Sequence, residues 1–252
     1  MKPTLLHQTA MLFGAFVVFL TPAKSELVTE SAASPVVVIN KGIGGQTAAD
    51  GLKRFEKDVA SLHPKHLIVY FGINDSCNKN IPLNEFEEAL YQMVTRAQAS
   101  GIETVVLVTP HPIISEYVVA RHPDHPEAAD LQAHLDTYGE VVRRIANKYR
   151  LPLADLNRLV KEHGGASKEA SSLVRNEANS KSRDGIHFTP EGYRLLASLC
   201  SNILKDRIKP GDVIVCLGDS LTYGANVQGA GTSDGETYPA QLSKLLNGLP
   251  RQ

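Results

Sequence analysis

Ser220 lies in Gly218-Asp219-Ser220-Leu221, directly after the apolar run Val213-Ile214-Val215-Cys216-Leu217. Such a run reads as a short, fully buried strand. A serine at the carboxyl end of a strand is well placed to act as a nucleophile, because open α/β sheets gather their chemistry along that edge. A serine hydroxyl attacks a carbonyl only when a neighbouring base takes its proton, so the reading requires partners. Taken alone, the four residues also suit a turn or a helix N-cap. Three other segments put polar or glycine-rich groups at strand ends or before helices. They are Gly44-Gly45-Gln46-Thr47, Gly72-Ile73-Asn74-Asp75 and Asp184-Gly185-Ile186-His187.

The elements that must carry these groups alternate along the chain. Pro35-Val36-Val37-Val38-Ile39 reads as a buried strand running into the glycine-rich turn 40–47. Leu52, Phe55, Val59 and Leu62 recur at helical spacing and predict one amphipathic helix that stops before Pro64. Leu67–Phe71 and Thr104–Val108 read as two more buried strands. The helix between them is expected to start with Asn84 as cap and Glu87 reaching back, and to close at Gly101. Residues 113–126 look less regular, and Leu131, Leu135, Tyr138, Val142, Ile145 and Tyr149 mark a helix. A short strand follows at Leu151–Asp155, then a polar excursion over 157–182. Thr189 as cap and Pro190 at the first position open the next helix. Pro210-Gly211 turns into the serine strand, and Leu242, Leu245 and Leu246 belong to a last helix. Continuous apolar strands alternating with helices predict a parallel sheet covered on both faces.

The chain has 252 residues, a formal net charge of −1, 42% hydrophobic and 21% charged residues. That balance is ordinary for a soluble globular protein and gives no reason to expect a nucleic-acid partner. Residues 1–25 differ: Lys2 precedes an unbroken apolar run from Ala10 to Leu20, and Ala23 and Ser25 are small. This is the layout of a secretory signal peptide cleaved after Ser25. The run falls short of the roughly 20 apolar residues of a transmembrane helix, so an uncleaved anchor is the weaker alternative. The expected product is one catalytic domain over 26–252, secreted or periplasmic and not inserted in a membrane. Its oligomeric state has no signature.

Cys77, Cys200 and Cys216 are an odd number of thiols, so at least one stays free. Cys216 sits inside the serine strand and suits a core role, and nothing in the spacing supports a Cys77–Cys200 bridge. His122 and His125 have the separation of a metal pair, but Pro123 and Pro126 oppose the helix that would align them. No metal or cofactor is expected. His63 and His66 flank a strand start and are expected at the surface. His111, between Pro110 and Pro112, is a candidate for lining a substrate pocket or for a structural role.

Together the four segments resemble the signature blocks of the GDSL, or SGNH, hydrolases, a family of serine esterases and lipases. The resemblance covers essentially the whole chain after the leader. In that family the serine block comes first; here it comes last, while the other three keep their order. This is the pattern of a circular permutation, with the usual termini joined across Lys209–Asp212. The resemblance implies a three-layer α/β/α, flavodoxin-like fold with a five-stranded parallel sheet, the serine strand lying between the Val36 and Leu67 strands. It assigns Ser220 as nucleophile, His187 as base and Asp184 as the carboxylate that holds the imidazole. It also implies an oxyanion hole from the backbone N–H groups of Ser220 and Gly45 and the side-chain amide of Asn74. Gly45 suits close backbone approach; Asp75 and Asp219 suit loop hydrogen bonding.

The expected activity is metal-independent ester hydrolysis through an acyl-enzyme, with acetyl or another small acyl group on a carbohydrate or other small ester. An arylesterase or a lysophospholipase- or thioesterase-like enzyme is the alternative, with a wider acyl pocket from residues 113–126. A non-catalytic glycan-binding module on a hydrolase scaffold is the alternative from another class.

Overall fold

The computed structural model describes residues 34–248 together with Met1. Apart from Met1, the expected leader over 1–25 and its cleavage point lie outside those residues. The first half of the chain comprises β1 (Val37–Gly42), α1 (Ala48–Lys53), α2 (Phe55–Asp58), β2 (His66–Tyr70), α3 (Ile73–Cys77), α4 (Leu83–Ala99) and β3 (Thr104–Val108). The second half adds α5 (Ser115–Arg121), α6 (Leu131–Tyr149), β4 (Leu153–Ala154), α7 (Leu156–Glu162), α8 (Glu177–Ser180), α9 (Pro190–Leu204), β5 (Val213–Gly218), α10 (Ser220–Tyr223) and α11 (Tyr238–Asn247).

The five strands form one parallel sheet in the order β1-β5-β2-β3-β4. The last strand in the chain thus fills an inner slot, paired with β1 on one side and β2 on the other. Alternate residues of the inner strands feed two separate cores, as a sheet covered on both faces requires. Ile68, Tyr70, Val106, Val108, Ile214 and Cys216 pack toward α5, α7, α9 and α11. Leu67, Val69, Val105, Leu107, Val215 and Leu217 pack toward α4 and α6.

Several local expectations change in the tertiary setting. The single helix expected over 52–62 is interrupted at Arg54 and again at Val59, then ends as a 3-10 turn over Ala60–Leu62. The first break falls where the Arg54 guanidinium reaches away to Gln46 and to the Gly218 carbonyl, a contact 164 residues distant. Helix α4 starts two residues earlier than Asn84 as cap suggests, with Pro82 at the cap and no side-chain cap bond. Glu87 instead pairs with Arg144 of α6 at 2.7 Å. His66 is not at the surface: it is 1% exposed, and its Nε2 lies 3.1 Å from Asp212 Oδ2. It opens β2, an inner strand, so both neighbours cover it. The three cysteines are free and buried.

Candidate active site

All four segments lie at the carboxyl ends of strands or in the loop before α9. β5 ends at Gly218, Asp219 caps α10 by accepting the Leu221 N–H at 2.8 Å, and Ser220 is the first helical residue. Gly218 cannot carry a side chain, since an added Cβ would sit 2.0 Å from Thr222 Oγ1 and 2.6 Å from the Tyr70 carbonyl. That contact brings the start of α10 down onto β2, and the nucleophile candidate is held at a sharp strand-to-helix corner.

Asp184 and His187 come from the loop between α8 and α9. Arg175 anchors that loop: its N–H donates to the His187 carbonyl at 2.8 Å, and its carbonyl accepts the Gly185 N–H at 3.0 Å. The His187 imidazole lies with Nε2 3.0 Å from Ser220 Oγ and Nδ1 3.0 Å from both Asp184 oxygens. Asp184 Oδ1 also accepts the N–H groups of Ile186 and His187, at 3.0 and 2.8 Å. Burial alone would raise the Asp184 carboxyl, but the His187 ring and these backbone donors outweigh it and hold it down at about 2. A permanently ionised acceptor at Nδ1 keeps the proton there and leaves the Nε2 lone pair facing the serine hydroxyl.

Two residues absent from the sequence reading complete this carboxylate. Asn226, in the left-handed region at φ 69°, donates its Nδ2–H to Asp184 Oδ2 at 3.2 Å. Arg175 Nε stands 3.9 Å from the same oxygen, an ion pair rather than a hydrogen bond. The only sequence signal for either is a polar residue next to a glycine-rich or serine-rich loop, which is too common to single them out.

Gly45 and Asn74 line one cleft beside the serine, and Ile186, next to His187, lines it too. Among the described residues, the backbone N–H groups of Ser220 and Gly45 donate to no protein acceptor. Gly45 has φ +77°, in the left-handed region that favours glycine, and an added Cβ would meet no protein atom within 4 Å. Asn74 Nδ2 donates to the Gln46 carbonyl at 2.9 Å and to Asp219 Oδ2 at 3.3 Å. Asp75 accepts the Ala48 and Gly72 N–H groups at 2.9 and 3.1 Å, tying the two loops together. Burial lifts the Asp219 carboxyl to about 7 and that of Asp75 to about 6, against the N–H groups that favour their ionised forms.

His111 is not among the residues that line this cleft. It is fully buried, packed on Phe188 at a ring separation of 4.1 Å, and burial drives its pKa down to about 3. The neutral ring donates from Nε2 to the Ile186 carbonyl at 2.8 Å and accepts the Tyr70 hydroxyl at Nδ1, 2.6 Å away. Tyr70 is the register partner of Gly218. This buried relay therefore links the end of β2, beside the serine strand, to the backbone adjoining His187. His122 and His125 sit on the turn after α5, where His125 Nδ1 accepts the Glu127 N–H at 3.1 Å. Among the described residues no group of three or more His, Cys, Asp or Glu side chains is arranged to hold a metal ion. None of the described helices is long and apolar enough to cross a membrane.

The sequence model of the GDSL-like lipase/acylhydrolase family matches residues 21–195. That span holds three of the four segments, and Ser220 lies beyond it. The uncharacterized lipoprotein YqeF of Bacillus subtilis is 28% identical over 175 residues, covering 63% of this chain and 70% of that protein. An acetylxylan esterase of Geobacillus stearothermophilus is 29% identical over 120 residues, covering 44% of this chain and 50% of that enzyme. The chain thus spans about half the length of that curated relative. Among solved structures, a lipase/acylhydrolase from Enterococcus faecalis shares the fold with a TM-score of 0.53 at 24% identity, covering 71% of this chain and 99% of that one. A catalytic mutant of an acetylxylan esterase from Geobacillus stearothermophilus does so with a TM-score of 0.50 at 23% identity, covering 65% and 70%.

Proposed function

Because the chain belongs to the GDSL-like lipase/acylhydrolase family, we propose that it is a serine ester hydrolase that removes small acyl groups, acetyl above all, from carbohydrate or similarly polar esters. The reading rests on one observation: an unbroken line of contacts from Asp184 through His187 to Ser220 Oγ, each 3.0 Å long. In this reading Ser220 Oγ attacks the ester carbonyl while its proton passes to His187 Nε2. Asp184 stabilises the imidazolium that forms. The carbonyl oxygen becomes an oxyanion facing the N–H groups of Ser220 and Gly45 and the Asn74 amide, which gives up a resting contact to reach it. Collapse expels the alcohol, protonated by His187, and water then cleaves the acyl-enzyme by the same route.

The preference for small, polar esters is supported by the surroundings. Of residues 113–126, Ile113, Ile114, Tyr117 and Val118 are buried in the core, and the part that reaches the cleft, His122, Asp124 and His125, is polar. The cleft beside the serine is lined mainly by polar side chains. Order along the chain we read as a circular permutation. Asn247, at the end of α11, exchanges hydrogen bonds with the Val36 N–H and carbonyl, 2.9 and 3.0 Å, so α11 stands where it could run into β1. The leader-like layout of residues 1–25, a lysine before an apolar run and then small residues, supports export.

Hydrolysis of a p-nitrophenyl ester series, from acetate to long acyl chains, tests the function, with Ser220→Ala as control. Turnover that depends on Ser220 and falls with acyl length is the expected result. Turnover that rises with acyl length would replace this reading with a lysophospholipase-like one, and none at any length would favour a binding module.

A further inference from the structure

The cleft beside Ser220 has a volume of about 330 Å³ and two walls. One is the end of α3 and the turn after it, Cys77, Asn78, Lys79 and Asn80; the other is the turn after α5, His122, Asp124 and His125. Its inner end is Gly45, Thr47, Asn74 and Ile186, the groups next to the reacting serine and histidine. Lys79 and Asp124 form an ion pair that joins the two walls. Among the described residues, Asn78 Nδ2, the whole side-chain amide of Asn80 and the His122 ring nitrogens have no hydrogen-bonding partner. Asn78 Oδ1 is already used, accepting the Asn80 N–H at 3.1 Å.

We propose that this cleft is the subsite for the alcohol part of the ester, and that it selects a hydroxyl-rich alcohol of about one sugar ring through Asn78, Asn80 and His122. The inference rests on the ester-hydrolase reading of Ser220 and deepens it. A small acyl group needs almost no room, so a cleft of this size next to the oxyanion donors holds the other half of the substrate. An alkyl or aryl alcohol would leave the unpartnered amides and imidazole desolvated and unpaired, which is unfavourable. A sugar offers hydroxyls that both donate and accept, matching amide NH₂, amide carbonyl and imidazole in turn. None of the three residues is hydrogen-bonded to Ser220, His187 or Asp184, so the subsite is separable from the chemistry.

The test compares wild type with the double variant Asn80→Ala/His122→Ala, both as full chains, with thermal unfolding as the check on folding. On a monoacetylated methyl xyloside the variant should show KM raised about tenfold with kcat unchanged, the loss expected for two neutral hydrogen bonds. On p-nitrophenyl acetate, whose leaving group has no free hydroxyls, both constants should stay at wild-type values. Equal losses on the two substrates, or no loss on the xyloside, would overturn the proposal. Binding of methyl xyloside to Ser220→Ala protein, followed by saturation-transfer NMR, reads the subsite without turnover. Contact that disappears in the Asn80→Ala/His122→Ala background supports the subsite even if the wild type hydrolyses nothing; contact that persists there sinks it, and so does no contact at all.

Discussion

Asp184→Asn is the substitution whose consequences follow most directly from the geometry. The carboxylate faces donors only: the N–H groups of Ile186 and His187, the His187 ring, Asn226 Nδ2 and, at 3.9 Å, Arg175 Nε. An amide of the same shape must turn its NH₂ toward some of them, so donor meets donor whichever way it is flipped. The carboxyl is held at about 2 instead of 3.8 and is only 10% exposed. A depression of that size corresponds to about 2.5 kcal/mol. Because the folded-state value is the lower one, this stability is fully present above about pH 4 and is lost as pH falls through about 2. The variant should therefore be less stable by about 2–3 kcal/mol at neutral pH, or roughly 5–10 °C in Tm. The gap should narrow steadily below about pH 4, where the native acid itself becomes neutral. Urea unfolding of both proteins at about pH 7 and about pH 2.5 measures it. Activity should drop by a factor on the order of 10⁴ in kcat, since the imidazole loses the acceptor that fixes its tautomer. A stability gap as wide at the low pH as at the high one would refute the electrostatic account, and near-normal kcat would refute the role of Asp184.

Other perturbations separate positioning from chemistry. Tyr70→Phe leaves the buried His111 Nδ1 without its donor at a cost of about 1–3 kcal/mol; kcat should fall while KM holds, and an unchanged kcat would break the link between the relay and His187. Gly218→Ala should lower stability strongly, because its Cβ would collide with the Tyr70 carbonyl and Thr222. Gly45→Ala has room for its Cβ and should lose only about 1–2 kcal/mol from its left-handed backbone, with a larger loss in kcat; chemical denaturation ranks the two, and the reverse order would contradict the packing described. A chain truncated after Gly211 lacks β5, the partner of both β1 and β2, and should not fold; native-like circular dichroism from it would show that the inner slot is dispensable.

The features set by the amino-acid order alone are those with a local cause. Thr104–Val108 and Leu131–Tyr149 match the expected strand and helix end to end, because an apolar run and a long 3.6-residue stripe are complete signals within their own windows. Thr189 and Pro190 open α9 as expected, since a cap is a contact between residues a few positions apart. The four segments, including Ser220, Asp184 and His187, stand out for the same reason: each motif is contiguous. Tertiary packing decided the rest. Arg54 breaks its helix to hold Gly218, Asn226 and Arg175 close over Asp184, Tyr70 and His111 support Ile186, and His66 is buried beside Asp212. Each is a polar contact between residues distant in the chain, and a single polar residue carries no periodicity that announces its partner. The serine strand shows both sides of this division. Its apolar run marks it as buried wherever it falls in the chain, but its place between β1 and β2, which brings Ser220 within 3.0 Å of His187, exists only once the sheet is assembled.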